Sequence, residues 1–159
     1  LRRDHANIVG IKETTKDFEH FSRVFHLCGR DTLMWSGIEL LCLPLLALGG
    51  IGFVSAAANL APKAVAEMYE HWVSSNTEAA LELHYALHSV VDLMFVETNP
   101  APIKDVLARS GLIASGHVRP PLVTPSDAGR KKMDALLVEG MATVTGPVRA
   151  LAERLSVSQ

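Results

Sequence analysis

Residues 7–13 read Asn-Ile-Val-Gly-Ile-Lys-Glu, residues 32–37 Thr-Leu-Met-Trp-Ser-Gly and residues 51–57 Ile-Gly-Phe-Val-Ser-Ala-Ala. Each is a short run that is apolar on both sides rather than alternating, the pattern of a strand covered on both faces. Helical stretches separate them. Asp17 can cap a helix to about Cys28, with Phe18, Phe21, Val24, Phe25 and Cys28 on one face and Gly29 as its stop. Ile38–Leu48 forms a second, in which Pro44 demands a kink or a late start. Strand–helix–strand–helix–strand at this spacing predicts parallel strands joined by crossover helices, an α/β fold.

After Asn59 the pattern turns wholly helical. Pro62 starts a helix with Ala64, Val65, Met68 and Trp72 facing inward, and Thr77 opens another carrying Leu83, Leu87, Val90 and Met94. Asn99–Pro102 reads as a turn and Ile103–Leu112 as a short helix ended by Gly111. Arg119–Pro125 holds three prolines and reads as an extended connector. Ser126 caps a helix to about Glu139, and Pro147–Leu155 offers one more.

Composition excludes several function classes. The chain has 159 residues, 48% of them hydrophobic, enough for a buried core. Fifteen basic against seventeen acidic residues leave a formal charge of −2, which argues against a nucleic-acid partner. Apolar runs such as Leu40–Leu48 are far too short to span a bilayer, so no membrane partner is expected, and no secretory signal is visible. Cys28 and Cys42 form no metal pair and no disulfide framework; two buried thiols in a reducing cytoplasm are the expectation.

Lys12 is the first candidate for chemistry. It stands at the carboxyl end of a parallel strand, where ligands of α/β sheets and barrels gather. A lysine in apolar surroundings there can lose its proton and attack a ketone carbon as the free amine. The other reading is a lysine emerging into water as its strand ends. Gly49, Gly50 and Gly52 resemble a dinucleotide loop in composition only, because a helix precedes them and a strand follows. His84, His88 and Asp92 share one helical stripe, read as a solvated face rather than a metal site. Ser36 and Ser55 lie near strand ends, but no histidine and acid pair with them as a triad.

Taken together, four motifs in order carry a resemblance. They are Gly10-Ile11-Lys12-Glu13-Thr14, Ser36-Gly37, the segment Leu48–Ser55 followed by Asn59, and Val96–Lys104 (V-E-T-N-P-A-P-I-K), with Arg119-Pro120-Pro121-Leu122 beyond them. In these, residues 7–139 resemble the dihydrodipicolinate synthase and N-acetylneuraminate lyase family. The resemblance implies a (β/α)8 TIM barrel with a helical C-terminal extension, usually tetrameric, without a cofactor or metal. It implies that Lys12 forms a Schiff base with pyruvate or a related 2-oxo acid, which then exchanges with an aldehyde. It further implies Ser36, Gly37, Val54 and Ser55 as substrate-binding residues.

Eight strands and eight helices need about 250 residues. The three strands here resemble the sixth to eighth, so the fold expected is a partial barrel. On this division residues 1–60 hold the last three βα units, 61–140 the last barrel helix and the extension, and 141–159 a tail with a short helix. The family's threonine pair and proton-relaying tyrosine have no counterpart, since Tyr69 and Tyr85 fall in predicted helices. Ile38 and Glu39 follow Ser36-Gly37 where lysine-pathway members carry acidic residues directly, and Trp35 stands just before. The expected function is dihydrodipicolinate-synthase-like; the alternatives are another pyruvate-dependent aldolase or hydratase-aldolase, or a non-catalytic piece that only oligomerises.

Overall fold

The computed structural model describes residues 4–157 and divides into two compact units, Leu1–Ser55 and Ala56–Gln159. In the first, strands β1 (Gly10–Glu13), β2 (Leu33–Ser36) and β3 (Gly52–Phe53) form one parallel sheet in the order β1-β2-β3. Helix α1 (Phe18–Cys28) joins β1 to β2, and α2 (Cys42–Ala47) joins β2 to β3. This is the expected α/β pattern with shorter strands: the third run gives two paired residues, and Ala57–Asn59 coils into a 3-10 turn instead.

Local chemistry explains these boundaries. Asp17 caps α1 by accepting the His20 amide at 3.2 Å, satisfying one of the orphan donors of the first turn. Gly29 ends the helix at φ 88°, a left-handed conformation that disfavours side chains. Pro44 resolves as a late start. Glu39–Leu41 makes a 3-10 turn, α2 begins at Cys42, and Pro44 sits in its first turn, where its missing N–H breaks no bond.

One face of the sheet packs against the helices. Phe21 and Phe25 of α1, Met34 of β2 and Leu45 of α2 form the core, flanked by Val24, Leu41 and Leu48. Residues alternate faces along a strand, so Met34, Ser36 and Phe53 look toward these helices. Lys12, Trp35 and Gly52 occupy the opposite face.

One of the two thiols departs from expectation. Cys42 is buried, but Cys28, the last residue of α1, is exposed. Burial, assisted by the Glu39 carboxylate, pushes the Cys42 thiol up to about 12, so it stays protonated and inert. A disulfide-exchange reagent at pH 8 titrates Cys28 promptly and Cys42 at least about a hundredfold more slowly until the chain is denatured. Equal rates in the folded protein contradict this burial.

The second unit is helical: α3 (Pro62–Val73), α4 (Thr77–Ala86), α5 (His88–Met94), α6 (Ala101–Arg109), α7 (Asp127–Glu139) and α8 (Gly146–Val157). The run opened by Thr77 is two helices meeting at Leu87 rather than one. Trp72 is half-buried, while Ala64, Val65 and Met68 of its stripe are buried. The α6 helix begins at Ala101, two residues ahead of expectation, because Pro102 fits a first turn. No helix among the described residues is long and apolar enough to cross a membrane.

Candidate active site

The site is built on the first unit's sheet. Cα partners across the ladder are Lys12 with Trp35 and Trp35 with Gly52, so one row crosses all three strands. Paired residues of a parallel sheet project to the same side, and this side carries no helix of the unit. Lys12 is accordingly exposed, with its stem leaving the sheet at the strand's carboxyl end.

Gly37 lies immediately beyond β2, and its amide donates to the Glu13 carbonyl at 2.7 Å, extending the ladder. A Cβ there would stand 2.6 Å from Lys12 Cε and 2.3 Å from Thr14 Oγ1. Both atoms therefore occupy the space that any side chain at 37 would need. The glycine is what lets the lysine stem and the Thr14 hydroxyl converge over the strand end. Thr14 is the neighbour that sequence reading did not single out. Its only signal was its place two residues after the lysine, which puts it on the same face.

The remaining expected residues divide between the two faces. Val54 follows β3 on the Lys12 side and is 49% exposed; its amide donates to the Ser36 carbonyl at 2.8 Å. Ser36 is fully buried on the helix side. Its hydroxyl donates to the Ile38 carbonyl at 2.9 Å and accepts the Ile38 amide at 3.2 Å, pinning the turn after β2. That hydroxyl is therefore not brought to Lys12, because strand alternation aims it away. Ser55 is half-buried, and its hydroxyl donates to Glu39 Oε1 at 3.3 Å. Next to Lys12, Glu13 faces the helices: one carboxylate oxygen accepts the Thr14 amide at 2.8 Å and the other lies 3.1 Å from His20 Nε2. This fixes the turn out of β1 and with it the end of the strand that bears the lysine.

In the second unit the matching motif serves packing. Glu97 accepts from the Ser126 hydroxyl at 2.6 Å and from its amide at 3.2 Å, tying the connector to the start of α7. Asp105, nearly buried in α6, accepts from Arg109 Nε at 2.8 Å and Arg130 Nε at 3.0 Å; Arg109 also reaches Asp134 at 2.7 Å. Lys104 Nζ donates to the His117 carbonyl. His84 and His88 differ from the expected solvated stripe: both are half-buried, with rings 5.5 Å apart on successive helices. Burial, then His88, holds His84 below its ordinary range. No group of three or more metal-binding side chains occurs among the described residues.

Residues 2–139 match the profile of the dihydrodipicolinate synthetase family. The chain belongs to that family. It is 43% identical over 122 residues to the 4-hydroxy-tetrahydrodipicolinate synthase of Thermus thermophilus, covering 77% of this chain and 40% of that enzyme. It superposes on the 4-hydroxy-tetrahydrodipicolinate synthase of Methylacidiphilum fumariolicum SolV with a TM-score of 0.84 at 30% identity, over 98% of this chain and 50% of the other. A monomeric dihydrodipicolinate synthase variant matches with a TM-score of 0.77 at 34% identity, over 84% and 45% of the two chains. The chain spans about half the length of the curated relatives it matches. Within the dihydrodipicolinate synthetase family it is thus an α/β chain with a small parallel sheet and a helical continuation.

A test of the Gly37 geometry follows. Gly37→Ala leaves the fold in place, because the Lys12 stem swings away, the Thr14 hydroxyl rotates and its Cβ yields by a few tenths of an ångström. If Lys12 is an imine-forming residue, its displaced amine reacts with a carbonyl compound about 10- to 100-fold more slowly, the loss expected for a misplacement near 1 Å. Adduct formation rates at fixed substrate check it; an unchanged rate removes Gly37 from the site.

Proposed function

We propose that Lys12 is the imine-forming residue of a 4-hydroxy-tetrahydrodipicolinate synthase-type lyase that acts on pyruvate or a related 2-oxo acid and an aldehyde. The observation that carries this reading is the convergence of Lys12 and Thr14 over Gly37 at the carboxyl end of the sheet, on the face that carries no helix of its own unit. In this reaction the Lys12 amine attacks the C2 carbonyl carbon, forming a C–N bond. The carbonyl oxygen leaves as water. Loss of a C3 proton then gives an enamine. Its carbon bonds to the aldehyde carbon, whose oxygen takes up a proton, and water releases the product and regenerates the amine. Gly37 and Val54 border the imine, while Ser36 and Ser55 act by shaping the turns that present them.

On this reading β1, β2 and β3 are the sixth, seventh and eighth strands of a (β/α)8 barrel. Residues 1–60 form its last three βα units, 61–140 the last barrel helix and the extension, and 141–159 the tail. The groups that hold the keto-acid carboxylate and relay protons belong to the other five units. The protein works as a homo-oligomer, and its exposed, unbridged Cys28 suits the reducing cytoplasm.

Incubating the natural polypeptide that contains this chain with pyruvate and borohydride tests the proposal. A reduced pyruvyl adduct on Lys12, located by peptide mass analysis, is expected. An adduct only on Lys104, or none, overturns it. A second reading is a non-catalytic piece that persists by association, favoured by the exposure of Ile8, Val9, Ile11 and Val54. It predicts oligomers by light scattering together with no adduct.

A further inference from the structure

The row that bears Lys12 carries one further chemical feature. Trp35 is its direct partner across the β1–β2 ladder, and Gly52 is the partner of Trp35 across β2–β3. A Cβ on Gly52 would lie 3.3 Å from Trp35 Cδ1 and 3.6 Å from Nε1. The edge of the indole therefore lies against the glycine, close enough that a methyl group there would touch it. A large residue is seated on a small one in the row of the amine, on the face where Lys12 and Val54 are exposed. Trp35 itself is half-buried, so part of its ring remains open on that face.

We infer that Trp35 is a specificity-determining residue that sets the size of the 2-oxo acid accepted by Lys12. The inference rests on the imine reading above. A carbon chain growing from C3 of the bound keto acid meets this aromatic surface, whereas the methyl group of pyruvate is short enough to clear it. Discrimination by one methylene in a filled apolar site is worth roughly 10- to 200-fold.

The test uses the natural polypeptide that contains this chain and needs only the first half of the reaction. Imine formation joins Lys12 Nζ to C2 with loss of water, and borohydride delivers hydride to that carbon, leaving a secondary amine of defined mass. Trapping rates are measured for pyruvate and for 2-oxobutyrate, and their ratio is independent of the fraction of protein that is folded. Trp35→Ala raises the 2-oxobutyrate-to-pyruvate ratio by about tenfold or more. Trp35→Leu raises it less, and Trp35→Phe, which keeps a flat ring, holds it within about threefold of the parent. Gly52→Ala, whose methyl shifts the indole by only a few tenths of an ångström, changes the ratio by less than about threefold. A pyruvate adduct on Lys12 with an unchanged ratio in Trp35→Ala and Trp35→Leu overturns the role of Trp35 and leaves the imine reading standing. Absence of an adduct from either acid in the parent protein overturns both.

Discussion

On the imine reading, replacing Lys12 by alanine removes the pyruvate adduct and lowers carbonyl-dependent turnover by at least about a thousandfold, because the amine that forms the C–N bond is gone. The loss is not one of folding. Lys12 is exposed and its side chain fills no core, so the denaturation midpoint shifts by no more than about 0.5 kcal/mol in equivalent stability. Lys12→Arg is as inactive as the alanine variant although it keeps the charge, since a guanidinium does not lose its proton near neutrality. Lys104, the other lysine in a family motif, is held by the His117 carbonyl in the helical unit and does not substitute. Adduct retained in Lys12→Ala moves the nucleophile elsewhere.

The second large effect falls on stability. A Cβ on Gly10 would stand 1.9 Å from the Leu33 carbonyl oxygen and 2.7 Å from the carbonyl carbon. These are backbone atoms of the partner strand, so nothing flexible can yield. Gly10→Ala must prise β1 from β2 at the register pair that begins their ladder, at a cost of about 3 kcal/mol or more, the upper range for overpacking. Chemical denaturation followed by Trp35 fluorescence, with Trp72→Phe in both proteins, checks it. A shift below about 0.5 kcal/mol means that the strands do not approach this closely. Activity falls as well, since the displaced strand carries Lys12 two residues on.

The contrast between these variants shows what could be read from residues alone. The glycine-isoleucine-lysine-glutamate run marks a strand end and places Lys12 there. Capping chemistry at Asp17, Gly29 and Ser126 was equally visible, because a helix start or stop is a local event. What stayed hidden depended on register. That Gly37 leaves room for both Lys12 and Thr14 follows from which residues face each other across more than 20 positions of chain. The commitment of the Ser36 hydroxyl to Ile38 was likewise invisible, since a serine beside a glycine reads as a ligand as easily as a turn. Cys28 misled for a simpler reason: it falls on the apolar stripe of α1, but at the last residue, where the helix runs past its core.

The ladder of β1 against β2 also sets how errors at this site are tolerated. Sliding one strand by a single residue turns the lysine to the helix side, and the next register that restores its face lies two residues, about 6.6 Å, away. The position of the amine is therefore quantised. Gradual drift by accumulated mutation is not open to it: a change in this strand leaves the nucleophile in place or removes it altogether, and variation in substrate range must come from the neighbours that surround a fixed point.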